Sequence, residues 1–262
     1  MSEITFLTAK NLSARHGFFT RKGGVSVGPY ASLQNGFGAK GDTRQNAIEN
    51  RRRALAALDL SHCALISGNQ VHSASAIAVQ SPIAQENALK QEDAPKVDGF
   101  ATSADNIALG VLTADCAPVL FEDAEAGVVG ACHAGWRGAR DGVVAATIKK
   151  MESLGAQRTR IAAAIGPCIG PEAYEVGPEF VDTFGEKNAR FFTAAAPGRP
   201  EDRRRFDLPR YIVDIWLQDL CVENLNCCTY ADPDRFFSNR RAHHHREPDY
   251  GRLITIIAPL WR

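Results

Sequence analysis

The stretch GVLTADCAPVLFEDAEAGVVGACHAGWRGAR, residues 110–140, decides how the rest of the chain is read. It holds two short apolar runs, each ending in a reactive side chain. Cys116 follows Thr113-Ala114-Asp115, and His133 precedes a Gly-Trp-Arg-Gly turn into a helix. The run 127–133 is continuously apolar and bounded by glycine, the pattern of a strand buried on both faces. Upstream, Gln70-Val71-His72 closes another apolar run and supplies a second isolated histidine.

Outward from that stretch, the spacing predicts a helix over 138–154, with Val143, Val144, Ile148, Met151 and Leu154 on one stripe and Gly155 as its stop. Residues 4–7, 14–20 (interrupted by Gly17), 64–66, 74–79, 97–102, 107–113, 160–165 and 253–258 read as strands. Asp42-Thr43 caps a helix to about Leu60, with Ile48, Leu55 and Leu58 sharing a face. Arg51, Arg52 and Arg53 fan over more than half of that helix and read as a solvated face. Asp207 caps another helix over 208–222, with Leu208, Ile212, Ile215 and Leu220 facing the core. The stretch 21–42 is rich in Gly, Ser and Lys and reads as a surface loop long enough to suggest a functional role. Residues 85–96 read as a loop or short helix. Strands and helices alternate, some spacings have hairpin length, and no linker or repeat divides the chain. The expected architecture is one α/β domain over residues 1–262, with mixed sheets covered by helices.

Composition sets the class. At 262 residues, with 45% hydrophobic and 23% charged residues, the chain has the make-up of a soluble globular protein. Lys+Arg and Asp+Glu are both 30, so no global charge draws it to nucleic acid or to an anionic membrane. No apolar run nears the roughly 20 residues that span a bilayer. The first residues lack a basic-then-apolar leader pattern, and seven cysteines at irregular spacing do not form a small disulfide framework. A reducing cytoplasm is the expected location.

His72, Cys116 and His133 are 44 and 17 residues apart, which is not the spacing of a zinc finger. Pattern alone favours a packed thiol and two hydrogen-bonded histidines. Their positions at the ends of apolar runs admit a second reading, a zinc site with three protein ligands and one open position. Cys116 as nucleophile with His133 as base is a metal-free alternative. Asp115 is expected to raise the Cys116 thiol unless a cation offsets it, which leans toward the metal. Cys132 should point to the opposite face of the strand from His133, and Cys168 should be packed in a tight turn. Arg137, between Gly135 and Gly138 at the start of a helix, reads equally as an anion-binding or a structural guanidinium. Arg21 and Lys22 in the long loop are further anion candidates, whereas His243-His244-His245 reads as an exposed loop without a site.

NQVH, VDGFAT, GVLTADCAPVL, HAGWRG, AAIGPCIGPEAYEVG and TYADPDRFF together resemble the YfiH-like family over nearly the whole chain. That family is also called the multicopper polyphenol oxidase (laccase-domain) family and a purine nucleoside phosphorylase family. The resemblance implies a YfiH-type α/β fold and zinc held by His72, Cys116 and His133. It implies phosphorolysis of adenosine, inosine, guanosine and S-methyl-5′-thioadenosine, with inorganic phosphate as co-substrate and adenosine deamination as a further hydrolytic reaction. Arg137, Arg21 and Lys22 are the candidates for phosphate. The glutamate of the H-x-E motif of other zinc deaminases is missing here. Three positions depart from the family pattern: Gln34 is inserted in S-L-N, Ser73 replaces the glycine after QVH, and Asn239 replaces a tyrosine in FFSYRR.

Two other functions compete. A copper-dependent polyphenol oxidase would use the same ligands, but the chain has only Met1 and Met151 for an axial thioether and lacks paired H-x-H motifs. A hydrolase editing nucleotide-linked cell-wall precursors is the other. Partners are expected to be small-molecule purine nucleosides, and the oligomeric state stays open.

Overall fold

A computed structural model describes residues 3–81, 94–196 and 198–260. Most of the expected loop or short helix at 85–96 therefore lies outside the described residues. The apolar runs pair into two large mixed sheets. The first has the order Phe6–Leu7, Arg15–Phe19, Leu253–Ala258, Ile107–Thr113, Ala64–Ile66. The second runs Cys221–Asn224, Ala162–Ile165, Ala117–Asp123, Val128–Ala134, Gly99–Thr102, Ala76–Ala78. Each contains both parallel and antiparallel pairs. A small antiparallel sheet of Glu175–Val176, Arg204–Phe206 and Phe192–Ala194 lies beside them.

The two large sheets bury a common apolar layer, in which Phe18, Leu109 and Val111 of the first meet Leu120, Val129 and Ala131 of the second. The other face of the first sheet packs Ala108, Ile254 and Ile256 beneath Ala54 and Leu58, at the end of the helix Arg44–Ala57. The other face of the second packs Val119, Phe121 and Cys132 beneath Val143, Val144, Ile148 and Met151 of the helix Val143–Ser153. Alternation along each strand sends successive side chains to these two layers. The result is the expected α/β fold of mixed sheets covered by helices.

Four local expectations change. The helix over 138–154 is two helices, Trp136–Asp141 and Val143–Ser153, because Gly142 takes φ +101° between them. That left-handed conformation suits glycine and ends the first helix. The helix over 208–222 is capped by Asp207 as expected, yet its α-helical part ends at Ile212. A π turn follows over Val213–Leu217, and Cys221–Asn224 pairs in parallel with Ala162–Ile165. Sheet pairing at that edge overrides the helical period.

The strand Ala117–Asp123 is buried along its whole length, its acidic end included. Glu122 accepts the Ser13 backbone N–H and hydroxyl, while Asp123 accepts Arg160 and the N–H groups of Ala126 and Gln157. Arg51 is buried rather than solvated: it donates to the Asn35 carbonyl at 2.9 Å and to Ser67, and stands 3.9 Å from the Phe37 ring centre. Burial and nearby Arg44 lower its pKa to about 10. Asn50 on the same helix donates to Ser26 and the Gln34 carbonyl and accepts the Val25 N–H. The long 21–42 loop is thus a packed cover over the polar side of this helix. The triple histidine lies in the exposed last turn of a helix, Asn239–His245, not in a loop.

Candidate metal centre and cleft

The centre lies where the chain passes from one large sheet to the other. Ile107–Thr113 ends in the first sheet and Ala117–Asp123 begins in the second, so Cys116 stands at the crossing. His72 lies between Ala64–Ile66 of the first sheet and Ala76–Ala78 of the second. His133 is at the end of the central strand Val128–Ala134. Two crossings and one strand end thereby bring together three residues far apart in sequence.

The ligand atoms of His72, Cys116 and His133 all lie within 4.8 Å of one another. His72 Nε2 is 3.8 Å from the Cys116 Sγ, and the two imidazole rings meet edge to face at 4.8 Å. Zinc bonded to sulfur and nitrogen at their usual lengths sets about 3.6 Å between those atoms, so this pair fits the ion with little adjustment, and the third donor lies within 4.8 Å of both. Gly135 leaves the required space, since a Cβ there would stand 2.8 Å from the Cys116 Sγ and 2.9 Å from the His72 ring. The glycine expected to let Arg137 approach a ligand instead lets the sulfur and imidazole approach each other.

Burial pushes the Cys116 thiol up, but the neighbouring His133 and His72 rings outweigh it and bring it down to about 6. Burial lowers His133, while Cys116 and Asp98 raise it to about 9. Without a metal, each group of the pair thus favours the charged form of the other. Asp115 has hydrogen-bond partners of its own. Its carboxylate accepts the Thr229 hydroxyl at 2.7 Å and the Arg240 backbone N–H at 2.6 Å, and its carbonyl accepts the Ile169 N–H. These contacts hold Asp115 at φ +87° and His72 sits at φ +59°, conformations that cost a residue with a side chain on the order of 1–2 kcal/mol. Cys132 and Cys168 are buried, and burial raises both thiols, as expected of core cysteines.

Two lobes open from the centre and share His72, Ala114, Cys116 and Asn239. The larger, about 420 Å³, has an aromatic wall of Trp136, Phe180 and Tyr174, with Arg203 and Arg240 beside it. The Trp136 and Phe180 rings lie 4.6 Å apart. Arg240 donates to the Glu175 carbonyl at 2.7 Å and lies 5.5 Å from the Tyr174 ring centre. The smaller lobe, about 240 Å³, is walled by Gln70, Thr113, Tyr250 and Arg252.

Arg137 is exposed on the six-residue helix Trp136–Asp141, with its guanidinium 5.1 Å from the Trp136 ring, outside both lobe walls. Arg21 donates to the carbonyls of Ala31, Pro29 and Pro233 and packs on Phe237. Neither Arg21 nor exposed Lys22 is among the described residues that line the lobes. The arginines that line the cleft are Arg203, Arg240 and Arg252, none of them among the candidates read from the sequence, although Arg240 follows Asn239 in the quoted FFSYRR motif. Asp98 was also missed, although an acid between Val97 and Gly99 at the start of a buried strand was a usable signal. Two departures from the family pattern reach this region: Asn239 lines both lobes, and Ser73 hydrogen-bonds to Asp98.

The model of a family described as multi-copper polyphenol oxidoreductase laccase matches residues 15–259. A purine nucleoside phosphorylase of Deinococcus radiodurans is 37% identical over 246 residues, covering 91% of this chain and 88% of that protein. One from Corynebacterium glutamicum is 36% identical, with 96% of each chain covered. Among solved structures, YlmD from Geobacillus stearothermophilus superposes with a TM-score of 0.83 at 28% identity, covering 99% of this chain and all of that one. A Neisseria meningitidis protein superposes with a TM-score of 0.80 at 30% identity, covering 97% and 98%. Among the described residues, no helix is long and apolar enough to cross a membrane.

Proposed function

The chain belongs to the multi-copper polyphenol oxidoreductase laccase family, and we propose that it works as a zinc-dependent purine nucleoside phosphorylase. In this reading residues 1–262 act as one catalytic domain. Its substrates are adenosine, inosine, guanosine and S-methyl-5′-thioadenosine, and adenosine deamination is a second reaction of the same cleft. The observation that carries this reading is the His72, Cys116 and His133 cluster at the junction of two lobes, in a chain whose relatives are named purine nucleoside phosphorylases.

His72, Cys116 and His133 would hold the ion, and a bound zinc would supply Lewis acidity through its open fourth position. The aromatic wall of Trp136, Phe180 and Tyr174 receives the flat purine. Arg240 and Arg203 hold phosphate, with Arg137 beyond Trp136 as an outer guanidinium. A phosphate oxygen bonds to ribose C1′ as the C1′–N9 bond breaks, and the base leaves with that electron pair and takes up a proton. The enzyme's contribution is to align the two reactants and screen their charge. Copper fits less well, because Met151 is buried beneath the second sheet, far from the role of an axial ligand.

The direct test incubates purified, metal-quantified protein with adenosine, with and without phosphate, and follows adenine, inosine and ribose 1-phosphate. Phosphate-dependent adenine release is expected. Inosine alone would replace phosphorolysis with deamination, and no turnover by zinc-loaded protein would reject both. Arg240→Ala should raise the KM for phosphate roughly 10–100-fold, the range of one lost hydrogen bond to a charged group. An unchanged KM would remove Arg240 from phosphate binding.

One observation favours a second reading, thiol chemistry without metal. Cys116, His133 and Asp98 stand in the order nucleophile, base and orienting carboxylate, with His133 Nδ1 2.8 Å from Asp98. A hydrolase acting on nucleotide-linked cell-wall precursors would use that set. Activity that survives chelation but not thiol alkylation would favour it.

A further inference from the structure

Beneath the centre, outside both lobe walls, the Asp98 carboxylate is wholly enclosed. Its Oδ1 accepts His133 Nδ1 at 2.8 Å and the His72 backbone N–H at 3.1 Å. Its Oδ2 accepts the backbone N–H groups of Val71 at 3.2 Å and Ser73 at 2.7 Å, and the Ser73 hydroxyl at 2.8 Å. Its backbone carbonyl takes the His133 N–H at 2.8 Å. Three successive backbone N–H groups closing on one anion form a nest. Here the nest wraps an internal carboxylate, and its central residue is His72, in the left-handed conformation at φ +59°. The same carboxylate occupies Nδ1 of His133, which leaves Nε2 of that ring for the centre.

We infer that Asp98 is the positioning residue of the centre. It fixes the tautomer of His133 and the backbone turn at His72 together, and so sets the affinity for a divalent metal. The inference rests on the reading that His72, Cys116 and His133 hold such an ion; it is independent of which nucleoside is bound. Ser73, where the family pattern has glycine, adds a hydroxyl donor to this device.

Chemistry makes Asp98→Asn a sharp probe. Both carboxylate oxygens accept, and every neighbour that meets them donates. An amide keeps one acceptor and turns its NH2 toward donors whichever way it flips. A residue that only anchored the loop would lower the melting temperature and leave the metal affinity of the folded protein alone.

The test uses the full chain stripped of metal and titrated with Zn2+ against a competing chromophoric chelator, with folding checked by near-UV circular dichroism. D98N that remains folded should bind zinc about 10–100-fold more weakly than the wild type. Zinc affinity within threefold of the wild type overturns the role of Asp98 alone. A wild type that takes up no zinc overturns the inference together with the metal reading. A second measurement needs no variant: long-range 1H–15N correlation on zinc-loaded wild type should show His133 protonated at Nδ1 and coordinated through Nε2. Coordination through Nδ1 overturns the inference even if D98N fails to fold.

Discussion

Cys116→Ala is expected to lose zinc and phosphorolysis together. Cys116 is the one thiol of the cluster, and it stands within 4.8 Å of both histidine donor atoms. Two imidazoles without the thiolate leave a divalent ion a weak, neutral pair of ligands. Zinc affinity should fall by at least about 100-fold, as removal of an anionic ligand takes away both a bond and a charge. Loss of Lewis-acid catalysis is worth several kcal/mol, so phosphate-dependent adenine release should drop by about 10³-fold or more. The fold should persist, because Cys116 is only half-buried and faces the cleft. Metal analysis and product chromatography on the same sample decide the matter. Full activity in a zinc-free Cys116→Ala protein would place the chemistry elsewhere.

Phe206→Ala should give the largest loss of stability. Phe206 is fully buried, and its ring meets those of Tyr174, Phe180, Phe184, Phe192 and Tyr211 at centroid distances from 4.8 to 6.4 Å. Truncation removes the aromatic surface and leaves a cavity among stiff neighbours, at about 3–5 kcal/mol. For a chain of this length that corresponds to a fall in Tm of roughly 6–20 °C. Tyr174 and Phe180 also wall the larger lobe, so the nucleoside KM should rise in parallel. Urea unfolding and a KM series at a temperature where the variant is folded test both halves. A loss below 1 kcal/mol would mean that the cluster repacks freely and does not stiffen the cleft.

The strands Ile107–Thr113 and Leu253–Ala258 were legible because each is an apolar run whose one polar side chain is a threonine, with no charge to satisfy. Ala117–Asp123 was not, because Glu122 and Asp123 are buried only by virtue of donors from Ser13, Gln157 and Arg160. Arg51 misled for the same reason, its partners being Asn35 and Ser67 across a packed loop. The break at Gly142 lay inside a helical period that was itself correct for Val143–Met151.

At the candidate site the division is similar. His72, Cys116 and His133 were legible as candidates, because they carry distinctive chemistry at the ends of apolar runs within recognisable motifs. Their surroundings, by contrast, come from the folding of distant segments onto them. Asp98 beneath two of the donors, Gly135 as the gap that admits the sulfur, and Arg240 rather than Arg21 in the cleft all depend on two chain crossings between sheets. A donor's identity is local chemistry that a motif can carry. The charge and hydrogen bonds around it come from residues far off in the chain, as Arg240 is 125 positions from Asp115, and those are fixed only when the sheets close on one another.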